Sequence, residues 1–165
     1  MPAKTTRRPI RLLLVDDHPI VLEGIKLHLA AQSEFDVAGE ASNGQDAIRQ
    51  AGLLQPDVIL MDISMPQMNG IAAMSPIRQI APRAKILVLT MHDNREYITQ
   101  MVRLGARGYV LKDTSPAELT QAIKLVHSGE VYFSPAASRV LLEEVTNRGP
   151  TGKIPVGRLS NREWE

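Results

Sequence analysis

Cysteine is absent from the 165-residue chain. Disulfides, thiolate metal sites and cysteine nucleophiles are therefore excluded, and the absence fits the cytoplasm, the location expected. A charge excess is missing too. The formal balance is +1, so no global field argues for a nucleic acid or a membrane surface as partner. No apolar run is long enough to span a bilayer. The opening Met1–Pro9, with Lys4, Arg7 and Arg8, leads into a short strand and then Asp16-Asp17 rather than a signal-peptide core. It reads as a disordered arm over 1–9. Internal repeats and low-complexity segments are likewise not found. The remaining composition is that of an ordinary globular protein, long enough for one domain with a full core plus an appendage.

What is there is an alternation. Short apolar runs at Ile10–Val15, Phe35–Ala41, Val58–Met61, Lys85–Leu89 and Gly108–Leu111 have the length and bounding turn signals of buried parallel strands. Helical patterns lie between them. Pro19–Ala31 starts on a proline and carries Val21, Ile25 and Leu29 on one stripe. Asn43–Leu54 opens on Asn-Gly, and Gly70–Ile80 follows with Pro76 inside it, where a proline kinks or ends a helix at a cost of roughly 3 kcal/mol. Arg95–Leu104 stops at Gly105, a good C-cap. Ser115–Ser128 opens on a capping box of Ser115 and Glu118. Strand–helix alternation predicts an α/β fold with a doubly wound, five-stranded parallel sheet. Residues 10–128 form this domain. Over 129–157 the pattern predicts a short extended piece at Val131–Phe133, a linker helix capped by Ser134-Pro135, and a flexible Gly/Pro-rich linker. Residues 158–165 read as an N-cap at Ser160 and one turn of a new helix, too short to stand alone, so the chain is expected to be a piece of a longer protein.

The chemistry sits where the strands end. Asp16 and Asp17 follow the first run, Asp62 the third, Thr90 closes the fourth and Lys112 follows the fifth. In an open parallel sheet, ligands bind outside the carboxyl ends of the strands. Taken singly, an Asp pair is usually a turn or cap, a strand-end Thr bonds backbone, and a lone Lys is solvated. At the ends of four separate strands they converge. Three carboxylates close together repel one another, and a hard, oxygen-seeking cation such as Mg²⁺ relieves that repulsion. One carboxylate then serves as nucleophile toward phosphorus, giving an aspartyl phosphate, while the metal and the Lys112 ammonium neutralise the transferring oxygens. Thr90 is placed to hydrogen-bond one of them.

The segments Leu14-Val15-Asp16-Asp17-His18-Pro19, Met61-Asp62-Ile63-Ser64-Met65-Pro66 with Asn69-Gly70, Leu89-Thr90, and Gly108-Tyr109-Val110-Leu111-Lys112 together resemble the receiver domain of two-component response regulators, a flavodoxin-like fold. The resemblance covers roughly 10–128. Asp-Asp-His-Pro, Thr90-Met91-His92-Asp93 and Lys112-Asp113 resemble the NarL/FixJ subfamily, and Leu159-Ser160-Asn161-Arg162-Glu163 resembles the start of its LuxR-type helix-turn-helix domain. The resemblance implies that Asp62 accepts a phosphoryl group from a sensor histidine kinase. Asp17, Asp62 and the Ser64 carbonyl would bind Mg²⁺, with Asp16 acting through a metal-bound water. Lys112 would pair with the phosphoryl group, and Thr90 and Tyr109 would be the switch pair. Phosphorylation would favour a receiver homodimer through the first and fifth helices, and DNA would be bound only through the full-length C-terminal domain.

Three departures from the commoner receiver pattern stand out: Asp113 rather than proline after Lys112, Met91 rather than a small residue after Thr90, where it would narrow access to Asp62, and the internal Pro76. His18 reads as a cap or surface group rather than a ligand. Ser64 and His92 flank the site, either as tuners of phosphoryl lifetime or as plain loop residues. In the first helix Ile20, Leu22 and Leu27 exceed what one stripe needs; they face either a second copy or the fifth helix. The competing functions are a Mg²⁺-dependent phosphotransferase or phosphatase and a phosphate-independent pseudo-receiver. Against the first, Ser64 stands two residues beyond Asp62, where haloacid-dehalogenase-like phosphatases carry an aspartate. Against the second, Asp17, Asp62 and Lys112 are all present. The chain is thus expected not to be an enzyme in its own right, beyond taking part in its own phosphorylation and dephosphorylation.

Overall fold

The computed structural model describes residues 8–63, 70–91 and 95–148. Along them run β1 (Ile10–Val15), α1 (Pro19–Ala30), β2 (Phe35–Ala41), α2 (Gly44–Leu54), β3 (Val58–Met61), α3 (Gly70–Ile80), β4 (Lys85–Thr90), α4 (Arg95–Arg103), β5 (Gly108–Leu111), α5 (Pro116–His127), β6 (Tyr132–Phe133) and α6 (Pro135–Arg148). The strands form one parallel sheet in the order β2-β1-β3-β4-β5-β6.

Alternation along each strand divides the core in two. Leu13, Val15, Ile59, Met61, Ile86, Val88 and Tyr109 face one side, while Leu12, Leu14, Leu60, Leu87, Leu89 and Val110 face the other. A strand buried on both faces has no polar positions to spare, which is why these runs are continuously apolar. The first face is covered by Ala47 and Ala51 of α2, Ala73, Met74 and Ile77 of α3, Ile98, Met101 and Val102 of α4, and Ala137 and Leu141 of α6. The second is covered by Leu29 of α1 and by Leu119, Ala122, Ile123 and Val126 of α5.

Local chemistry sets the helix starts. Asn43 accepts the N–H of Asp46 at 2.8 Å, and Ser115 accepts that of Glu118 at 3.2 Å, as the capping signals predict. Pro76 lies inside α3 without ending it, because buried Met74 and Ile77 hold the helix on either side. All described peptide bonds are trans, that between Lys112 and Asp113 included.

One expectation is corrected. The sheet has six strands, not five. Tyr132 and Phe133 pair with Gly108 and Tyr109, and a Cβ at Gly108 would stand 2.9 Å from the Tyr132 carbonyl oxygen, so glycine permits the approach. A two-residue run carries too little pattern to be recognised as a strand. In α1, the two alternatives divide and are not overturned: Leu22 packs with Ile25 against the second core, to which α5 contributes, while Ile20 and Leu27 stay exposed at 86% and 64%. No helix among the described residues is long and apolar enough to cross a membrane.

Candidate phosphoryl-acceptor site

Strand register brings the site residues together. Val15 pairs with Met61, so the residues that follow them, Asp16 and Asp62, leave the sheet side by side. The Asp62 N–H donates to Val15 O at 2.9 Å, and the Asp16 N–H to Ala41 O at 3.0 Å. Thr90 pairs with Leu111, and the Lys112 N–H donates to Thr90 O at 2.7 Å. The strand order reverses between β1 and β3, which is the crevice where open α/β sheets take ligands.

The charges are buried. Asp16, Asp62 and Thr90 are 3%, 2% and 0% exposed. Between the two carboxylates stands Lys112, whose Nζ is 2.7 Å from Asp16 Oδ2 and 3.1 Å from Asp62 Oδ2. Burial alone would push the pKa of Lys112 down; the hydrogen bond to Asp16 and the charge and hydrogen bond of Asp62 outweigh it and hold the ammonium above its ordinary value. One fixed cation thus serves two buried anions.

The third carboxylate is left over. Asp17 Oδ1 is buried and makes no hydrogen bond among the described residues, although His18 Nδ1 lies 3.1 Å away. Both oxygens of Asp16 are engaged: Oδ2 by Lys112, and Oδ1 by the His18 N–H at 2.8 Å and by His18 Nδ1 at 3.0 Å. One oxygen each from Asp16, Asp17 and Asp62, with a His18 ring nitrogen, lie within 4.8 Å of one another. An acid-rich set with an orphaned buried oxygen fits a hard divalent cation such as Mg²⁺.

The sequence pattern makes His18 a cap or surface group, and its side chain is indeed 58% exposed. It occupies the N-cap position of α1 but makes no side-chain cap bond there; its ring turns back to the Asp pair. Its place directly after two aspartates was the only signal for that contact. Tyr109 is fully buried on the face shared with α4 and α6. Met91, expected to narrow access to Asp62, stands 68% exposed. Ser64, His92 and the segment 158–165 lie outside the described residues.

The family model described as response regulator receiver domain matches residues 12–124. The chain is similar to the transcriptional regulatory protein MctR of Rhizobium johnstonii, with 42% identity over 92% of this chain and 71% of that protein. To the nitrate/nitrite response regulator protein NarL of Escherichia coli it is 34% identical, over 96% of this chain and 74% of that one. It spans 61% of the length of DegU from Brevibacillus brevis. Among solved structures, a LuxR-family two-component response regulator from Aurantimonas sp. SI85-9A1 superposes with a TM-score of 0.78 at 37% identity, over 84% of this chain and 99% of that one.

Proposed function

This chain belongs to the response regulator receiver family and is the receiver of a NarL-type transcriptional regulator, and on that premise we propose that it is switched by transfer of a phosphoryl group from a sensor histidine kinase to Asp62. The observation that carries this is the buried Asp16–Lys112–Asp62 bridge beside the orphaned oxygen of Asp17. The Asp62 carboxylate attacks phosphorus, the bond from phosphorus to the donor nitrogen breaks, and an acyl phosphate forms. Lys112, already on Asp62 Oδ2, is positioned to follow a phosphoryl oxygen. Asp17 and Asp62 would hold Mg²⁺ directly together with the Ser64 carbonyl, and Asp16, whose oxygens are both engaged, would act on it through water. Bound there, Mg²⁺ neutralises charge on the transferring oxygens.

Thr90 and Tyr109 convert the new charge into movement. Thr90 is buried beside Lys112, and Tyr109 touches the face covered by α4 and α6, so a shift of the pair reaches both helices. The receiver works in the cytoplasm, and its output is a homodimer through the outer face of α1 and α5, which presents Ile20 and Leu27, with DNA bound by a C-terminal domain of the full-length protein.

Intact mass after incubation with a small phosphodonor tests the proposal. One phosphate is expected, abolished by EDTA and by Asp62→Asn. Labelling of Asp62→Asn at the parent's rate would sink the assignment. For the dimer, sedimentation with a phosphoryl mimic should show association that Leu27→Glu removes.

A further inference from the structure

The end of the sheet opposite Asp62 carries the reverse charge. A cleft of about 400 Å³ opens there between the end of α3, the α3–β4 turn and the starts of β4 and β5, lined by Arg78, Pro82, Arg83, Lys85, Gly105 and Arg107 among others. Among the described residues four cations line it and no carboxylate does. None of the four makes an ion pair among the described residues; every such pair lies elsewhere. Across Pro82 and Arg83 a second recess of about 360 Å³ adds Arg8 and Arg11. The one acid there, Asp57, already accepts the backbone N–H of Arg11 at 2.8 Å.

The cleft is held by backbone contacts. Arg78 Nη1 donates to Leu104 O at 2.9 Å. Its guanidinium lies against Gly105, whose φ is +106° and where a Cβ would come within 2.6 Å of it. Glycine at 105 therefore serves both the left-handed end of α4 and the seat of Arg78. The Arg107 N–H donates to Ile86 O at 2.8 Å, fixing where that side chain leaves the sheet, and Arg83 leaves from a turn closed by the Ala84 N–H on Ala81 O at 3.1 Å.

We propose that this cleft binds a compact polyphosphate, either an inorganic chain or the polyphosphate tail of a nucleotide. Four cations without a counter-charge repel one another, and a multiply charged anion relieves that repulsion as a cation does at the acidic end. Three of the four are arginines, whose forked donors match phosphate oxygens two at a time. The cleft falls within the roughly 300–1,000 Å³ of small-molecule sites. No aromatic side chain among the described residues lines it, so a base finds none of them to stack on and recognition rests on the phosphates. An extended duplex backbone fits such a concavity poorly. The site is independent of the reading of Asp62.

Calorimetric titration of the whole chain with sodium triphosphate, without Mg²⁺ and at near-physiological salt, tests this. Saturable binding at one site is expected, weakened at least about tenfold, or ~1.4 kcal/mol, by Arg83→Gln combined with Arg107→Gln. Asp62→Asn is to bind like the parent, and the arginine variants are to accept phosphate at Asp62 as the parent does. ATP binding as tightly as triphosphate would identify the tail as the recognised group; inorganic triphosphate binding more tightly would identify the free chain. Should Arg107→Gln lower the unfolding midpoint, Arg83→Glu on the exposed turn replaces it and is to weaken binding at least as much. The proposal fails if no saturable binding occurs, if Asp62→Asn rather than the arginine variants removes it, or if a random-sequence DNA duplex binds more tightly than triphosphate.

Discussion

The two ends of the sheet solve the problem of crowded like charge in opposite ways. At the carboxyl ends of β1, β3 and β5, Asp16 and Asp62 are buried and share the Lys112 ammonium. At the amino ends of β4 and β5, Arg83, Lys85 and Arg107 share no counter-charge among the described residues and remain open to water. A buried charge must be partnered or it costs several kcal/mol, whereas an open one is compensated by solvent at little cost to folding. Charge at the acidic end is therefore part of the folded structure, and removing one member is felt by the whole domain. Charge at the basic end is free to be spent on a ligand.

The largest test of that contrast is Lys112→Met. It leaves two buried carboxylates facing each other and should destabilise the domain by about 3–5 kcal/mol in urea at neutral pH without Mg²⁺, with added Mg²⁺ restoring part of the loss. The pH dependence has a definite sign. The pKa of Lys112 is raised in the folded state from an ordinary value of 10.5, so its contribution is complete below that value and is lost as pH rises through the higher folded one.

A half-buried case should lie between the two ends. The Tyr132 hydroxyl donates to Glu118 Oε2, tying β6 to α5. Burial, reinforced by the Glu118 hydrogen bond and charge, pushes the phenol up to about 12 from 10.0. Between those values the unfolded chain gives up this proton while the folded one keeps it. This group alone should therefore lower stability by at most about 2–3 kcal/mol across the window, and Tyr132→Phe should remove that share of the slope, leaving the share due to Lys112. Urea midpoints taken through the window check it.

At the exposed extreme, Arg95 on α4 pairs with Glu143 of α6 with both side chains nearly half exposed. Arg95→Ala should cost about 0.2–1 kcal/mol. The smallest effect belongs to the basic end: Arg83→Gln should move the unfolding midpoint by no more than about 0.5 kcal/mol. A loss comparable to that of Lys112→Met would break the comparison.

The acidic end was legible in the sequence because each of its residues directly ends or follows a short, continuously apolar run, and strand order then places them together. Asp16, Asp62, Thr90 and Lys112 needed no tertiary information beyond the parallel sheet. The basic end was not legible, because Arg78, Arg83, Lys85 and Arg107 belong to a helix end, a turn and two strand starts that only folding brings to one cleft. The direction of Leu22 stays open in the sequence, between a second copy and the fifth helix, for a related reason. The apolar stripe of a core-facing helix is wider than its i, i+4 residues, and Leu22 and Ile25 both turn inward. β6 was read only as an extended piece, and its parallel pairing depends on Gly108, far from it in the chain.

The central claim is that the acidic end accepts a phosphoryl group on Asp62. It is tested most directly by borohydride reduction of the chain after exposure to a small phosphodonor and Mg²⁺, followed by peptide mapping, since reduction converts a phosphorylated aspartate to homoserine. Homoserine at position 62 alone, and only when Mg²⁺ is present, is the predicted result. Homoserine at Asp16 or Asp17 instead, or reduction at 62 that proceeds equally well in EDTA, would contradict it.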